Sequence, residues 1–102
     1  MSSLTSKQNS SWIEFGRDLQ TANLSNISFS ECIVYVYDSS AYAIAFHFNN
    51  AAPSRVYYSG SNTSGFIGGS INWNDTTKTF SSPSLVISGT ASTGAGMMIV
   101  YR

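Results

Sequence analysis

The clearest alternation of apolar and polar positions runs from Glu31 to Phe48. Successive side chains of a strand point to opposite faces, so Cys32, Val34 and Val36 share one face of the first arm and Ile33, Tyr35 and Tyr37 the other. Both faces are apolar, which predicts a strand covered on two sides. Asp38, Ser39 and Ser40 interrupt the run with short polar side chains that bond nearby backbone, and so predict a tight turn. The return arm sets Tyr42, Ile44, Phe46 and Phe48 against Ala43, Ala45 and His47. That split predicts a central strand with its large face in a core and its small face packed closely on another element.

The remaining segments read as shorter strands arranged around this hairpin. Residues 1–10 are polar and without periodicity, which predicts a flexible lead-in. Trp12 to Phe15 predicts a short strand that Gly16 ends or bends, and the stretch from Arg17 to Ala22 is too short and too poorly patterned for a helix and reads as a loop. Leu24, Ile27 and Phe29 predict a strand over Asn23 to Phe29, with a bulge or late start because Leu24 and Ile27 break the period of two. A Pro53 loop, an aromatic strand from Arg55 to Ser59 and a turn-rich loop over Gly60 to Gly65 come next. Phe66 to Trp73 is interrupted at Gly68 and Gly69, where a bulge or a close backbone contact is expected. Asn74 to Thr77 closes a hairpin onto Lys78 to Phe80, and strands around Ser84 to Ser88 and Met97 to Tyr101 complete the chain. About eight short strands at turn-punctuated intervals, without a helix, predict an all-β fold: an antiparallel β-sandwich or jelly roll over residues 11–102.

Composition narrows the classes of function. The chain has 102 residues, 10% charged and 14% aromatic, with a formal net charge of zero. One domain is the expectation at this length. Nucleic acid and anionic membranes require clustered Lys and Arg, and the five basic residues are scattered, so neither is a predicted partner. Zero net charge also removes long-range repulsion between copies, which favours self-association. No apolar run approaches the roughly 20 residues of a membrane helix, and the first residues lack a basic-then-apolar signal segment. Five Asn-x-Ser/Thr triplets, at Asn9, Asn23, Asn26, Asn62 and Asn74, then read as by-products of composition rather than glycan acceptors.

Little in the chain supplies reaction chemistry. Glu14, Asp18, Glu31, Asp38 and Asp75 are isolated in sequence, so no carboxylate pair of the glycosidase kind is indicated. His47 is the single histidine, which excludes a two-histidine metal site within one chain, and reads as a satisfied structural residue. Cys32 is the single cysteine and reads as an inert buried thiol. The glycines at Gly65, Gly68, Gly69, Gly94 and Gly96 lack the lysine and helix of a phosphate loop. Asn72, Asn74 and Asp75 crowd oxygen atoms together, but one carboxylate holds a hard cation poorly, and a plain turn is the reading preferred. No cofactor is predicted and no enzymatic activity. Aromatic rings stack on the apolar faces of sugars while amides and carboxylates bond their hydroxyls. Trp12, Tyr57, Tyr58 and Trp73, with Asn62, Asn72 and Asp75, are therefore the candidate carbohydrate-binding residues. The competing reading puts these rings in a core or an oligomer interface.

The order of the segments resembles small β-modules at the C-terminal ends of phage and prophage tail-associated proteins, such as tail fibres, minor structural proteins and baseplate receptor-binding proteins. The likeness spans about Ser11 to Arg102. It rests on the opening Ser11-Trp12-Ile13-Glu14-Phe15, the aromatic alternation of Glu31 to Tyr37, the return Ala45-Phe46-His47-Phe48, the Tyr57 to Gly60 segment, and the final Ile99-Val100-Tyr101-Arg102. The resemblance implies a virion tail-tip domain that forms a homotrimer and binds a host-surface glycan or teichoic acid. It transfers no specific binding residues, because the loops of such modules vary freely. The chain differs in having no coiled-coil or fibrous shaft before the module. The alternatives are a structural virion protein, for decoration or tail-tip assembly, and a single-chain lectin-like domain.

Overall fold

The computed structural model describes residues 11–39, 43–49, 55–62 and 65–102. The lead-in over residues 1–10, Tyr42 of the return arm and the Pro53 loop lie outside the described residues. Nine strands are present among those described: β1 (Ile13–Leu19), β2 (Thr21–Asn23), β3 (Glu31–Tyr37), β4 (Ala43–Asn49), β5 (Arg55–Asn62), β6 (Gly65–Asn74), β7 (Thr79–Ile87), β8 (Thr90–Ala91) and β9 (Gly96–Tyr101). They form an antiparallel β-sandwich. One sheet has the order β1-β9-β3-β4, the other β2-β7-β6-β5 with β8 paired to β7. None of the described residues is helical, so among them no helix is long and apolar enough to cross a membrane.

The β3–β4 hairpin follows the alternation in the sequence. Its register runs without a break from Glu31↔Asn49 to Tyr37↔Ala43, and Cys32, Val34, Val36, Ile44, Phe46 and Phe48 are all buried. These face Ile71, Trp73, Phe80 and Leu85 of the second sheet in one core. Phe80 joins the layers, its ring 4.4 Å from Trp73 and 5.2 Å from Phe48, centroid to centroid. The other face of the hairpin departs from expectation. Ile33, Tyr35 and Tyr37 are half-buried, and Ala43, Ala45 and His47 are exposed, so nothing among the described residues packs closely on the small face.

Three other expectations are corrected by local geometry. β1 does not stop at Gly16; it bends there through register shifts against β9 and continues to Leu19, taking in residues read as a loop. Asn23 ends β2 rather than beginning a strand, because its Oδ1 accepts the Ser25 N–H at 2.9 Å and turns the chain. Leu24 is then buried from a turn, its N–H bonded to the Lys78 carbonyl at 2.7 Å, and the spacing from Leu24 to Ile27 is that of a turn. The pieces predicted over Lys78–Phe80 and Ser84–Ser88 are one strand, β7. A register shift between Ser70 and Asn72 of β6 absorbs Pro83 and the left-handed Ser82 (φ 56°), so the missing proline N–H ends no ladder. At Gly69 the expected close backbone contact is present: a Cβ there would stand 2.8 Å from the Ser84 carbonyl oxygen and 2.9 Å from Ile44 Cδ1.

Candidate functional site

Those of the residues predicted to bind carbohydrate whose side chains are described do not converge. Trp73 shares the inward face of β6 with Ile71, is 4% exposed, and gives its indole N–H to Asp75 Oδ1 at 3.2 Å. Its ring belongs to the core and presents no face to a sugar. Asp75 lies in the β6–β7 turn, where the Lys78 ammonium at 3.0 Å, and then the indole N–H, hold its carboxyl below the usual range. Asn74 Oδ1 accepts the Thr76 and Thr77 N–H groups in the same turn, so the oxygen-rich segment is spent on a hairpin. Asn72 is half-buried in β6, opposite Arg55. Tyr57 is 70% exposed on the outer face of the second sheet, as is Phe66. The side chains of Tyr58 and Asn62 lie outside the described residues. Trp12 leads into the opposite sheet, half-buried beneath the Arg102 guanidinium, which stands 4.3 Å from its ring centroid.

A different group does converge, on the outer face of the β1-β9-β3-β4 sheet. Between Gly16 and Leu19, β1 carries one residue more than β9 opposite, so the strand bulges. Asp18 occupies the bulge in the left-handed region (φ 57°), which Asp tolerates better than most side chains. The strand between β1 and β3 is β9, and the residue it sets opposite Tyr37 is Gly96. A Cβ on Gly96 would lie 3.6 Å from the Asp18 backbone, so a longer side chain would fill the space over β9. With glycine there, Asp18 and Tyr37 meet across the intervening strand. The Tyr37 hydroxyl donates to Asp18 Oδ1 at 2.5 Å and accepts the Asp18 N–H at 2.8 Å, which fixes the bulge in place. Partial burial, and then the bond to the carboxylate, raise the phenol above its usual pKa of 10.0.

Around this contact the surface is concave. An apolar groove of 370 Å³ is lined by Tyr35, Tyr37, Ala43 and Met98, with Arg17 and Asp18 at its margin. Beyond Tyr37 and Asp18 it meets a polar hollow of 240 Å³ lined by Gln20, Asp38, Ser39, Gly94 and Gly96. Gln20 is held there by its amide N–H, which donates to the Ala95 carbonyl at 2.6 Å. The Arg17 guanidinium is tied to Glu14 at 2.5 Å on the rim. Two tyrosines on an apolar floor thus stand directly beside carboxylate, amide and hydroxyl groups, the pairing of chemistries that a sugar ring with its hydroxyls requires.

Further along the same face, Glu31 bridges two elements. Its Oε1 contacts His47 Nε2 at 2.6 Å and its Oε2 accepts from Arg102 Nε at 2.7 Å. These bonds, His47 before Arg102, hold Glu31 below its ordinary pKa of 4.5. His47 is therefore a partnered surface residue. Cys32 points into the core, on the opposite face from His47, and burial alone pushes its thiol up to about 12. No Cys-His pair forms. Among the described residues, no group of three or more His, Cys, Asp and Glu comes together as a metal cage would need. No family model, no curated protein and no solved structure matches this chain.

Proposed function

We propose that this chain is a non-enzymatic binding module whose groove between Tyr35, Tyr37 and Asp18 takes a saccharide. In line with the resemblance to phage tail-tip modules, the saccharide is a host-surface glycan and the module works as a homotrimer on a virion tail. The observation that carries the reading is the direct adjoining of the apolar groove and the polar hollow, with Tyr37 and Asp18 lining both. A pyranose can lie on the Tyr35 and Tyr37 side while its hydroxyls reach Asp18, Asp38, Gln20 and Ser39. A carboxylate already aligned by the bond it accepts from Tyr37 loses less freedom on binding, which favours affinity.

The test is a glycan array probed with the purified protein, with Tyr37→Ser and Tyr57→Ala run beside it. Loss of binding in Tyr37→Ser at an unchanged fold, with Tyr57→Ala still binding, supports the groove. A blank array at high protein concentration sinks the saccharide reading, and loss confined to Tyr57→Ala moves the site to the second sheet.

A structural role in virion assembly is the second reading, favoured by the open outer face on which half-buried Ile33, Val100 and Met98 sit beside exposed Ala43 and Ala45. Burying such a face between copies returns about 25 cal/mol for each Å² of apolar surface removed from water. Light scattering on a size-exclusion column decides whether the face is covered in this way. A mass near three chains supports the trimer, and a monomer at high concentration removes it.

A further inference from the structure

We infer that the outer edge of β4 is an interaction surface for a second copy of this chain, whose own β4 pairs with it antiparallel about a two-fold axis at Phe46. The edges of the sandwich are not equally guarded. A strand edge exposes N–H and C=O groups, and bulges, charged side chains, proline or short length keep foreign strands away. β1 has two register shifts and carries Glu14, Arg17 and Asp18, and β2 is three residues long. β4 ends the first sheet with seven residues, an unbroken register, no proline, and His47 as its one titratable side chain, itself held by Glu31. Among the described residues no strand lies beyond it.

The direction of the backbone groups fixes the register of the contact. Glu31 donates its N–H to the Arg102 carbonyl at 3.2 Å and accepts the Arg102 N–H at 3.1 Å, so its backbone is turned towards the β9 side. Alternate residues of an antiparallel strand bond to opposite neighbours. Along the continuous registers, Cys32, Val34 and Val36 therefore bond to Phe48, Phe46 and Ile44, and the backbone groups of Ala43, Ala45, His47 and Asn49 point out of the edge. A second β4 meets them at the same spacing: Ala43 opposite the partner's Asn49, Ala45 opposite the partner's His47, and Phe46 on the partner's Phe46 at the centre. All seven residues then pair, no like charges are opposed, and the alanines lie opposite larger side chains on the outer face. On the inner face Ile44, Phe46 and Phe48 keep 5 to 7% exposure where Cys32, Val34 and Val36 have none, and the pairing covers that remainder with an aromatic pair at Phe46. The contact does not depend on the saccharide reading, although Ala43 lines the groove and the partner's Asn49 arrives at its margin. It is also compatible with a homotrimer, a two-fold and a three-fold together giving about six chains.

The experiment is amide hydrogen exchange on the full chain at low and high concentration, with light scattering on the same samples. At low concentration exchange alternates along β4, slow at Ile44, Phe46 and Phe48 and fast at Ala45 and His47. At high concentration the mass becomes an even number of chains, and Ala45 and His47 become slow as well. Ala45→Pro removes an outward N–H and leaves the ladder to β3 intact, so it weakens the association about thirtyfold, one ordinary hydrogen bond being lost from each copy. Ala45→Lys keeps the N–H but sets a charge on the edge; it weakens the association too, and keeps the test open if the proline variant does not fold. A mass of one or of three chains at every concentration overturns the pairing. So does a rise in mass that leaves the Ala45 and His47 amides fast, which puts the contact on another surface. Neither result bears on the glycan array, so the pairing and the saccharide reading fail separately.

Discussion

Phe80 is the largest fully buried side chain among the described residues, and its truncation gives a quantitative test of the fold. It is 1% exposed on the inner face of β7, with Trp73 on the neighbouring strand and Phe48 across the interlayer space. Truncating a buried Phe to Ala costs about 3 to 5 kcal/mol, the loss of transfer energy plus the cavity left behind. Each aromatic pair adds about 0.5 to 1.5 kcal/mol beyond the area it buries. Phe80 makes two such pairs, so Phe80→Ala belongs in the upper half of the first range, at about 4 to 5 kcal/mol. A domain of this size has a total stability of about 5 to 15 kcal/mol, and the variant gives up a large part of it. Urea titration followed by far-ultraviolet circular dichroism measures the loss, with the slope expected to stay near that of the parent. Phe80→Leu keeps the measurement possible if the Ala variant does not fold, with a smaller loss in the same direction. A loss below about 1 kcal/mol in Phe80→Ala would refute the account of a ring clamped between layers.

Three further outcomes are expected. Glu31 has its pKa depressed by His47 and Arg102, so its contribution to stability is full above the ordinary carboxylate value of 4.5 and is lost as pH falls through the lower folded value. Melting temperature followed from neutral to strongly acidic pH should therefore fall less steeply in Glu31→Gln, and identical curves would show that the contact carries no linkage. Cys32, fully buried with its thiol pushed up to about 12, should resist a thiol reagent in the native protein and react at once in urea; rapid native reaction would mean that β3 is exposed. Gly69→Ala forces a Cβ to within 2.8 Å of the Ser84 carbonyl and should cost about 1 to 3 kcal/mol in a denaturant titration, whereas a neutral result would show that β6 and β7 lie further apart.

How much of this was legible in the chain depended on whether the deciding contact was local. The β3–β4 hairpin could be read because its alternation has a period of two and its register is unbroken. The burial of Trp73 also had a local signal: it alternates with Ile71 and sits opposite Phe80 across the Asn74–Thr77 turn, so one face holds all three. Naming its ring as a candidate sugar platform set that signal aside, and the competing reading of a core ring is the one that holds for Trp73. The β7 bulge was marked only by Pro83, and a proline that breaks a strand looks the same in sequence as one that a bulge accommodates. The groove had no local signal at all. Asp18 and Tyr37 are joined over Gly96, residues from three strands brought side by side by the order β1-β9-β3, and sheet order is not written in any one segment. Asp18 and Tyr37 taken singly are an isolated carboxylate and a strand aromatic, and their chemistry exists only as a pair.

The most direct test of the central claim is a map of amide chemical-shift changes in the labelled protein as a bound oligosaccharide from the array is added. Changes are expected to concentrate at Asp18, Gln20, Tyr35, Tyr37, Asp38, Gly94 and Gly96, saturating with a single affinity. Changes centred instead on Tyr57 and Phe66, with the Asp18 and Tyr37 amides unmoved, would contradict it and put the binding surface on the other sheet.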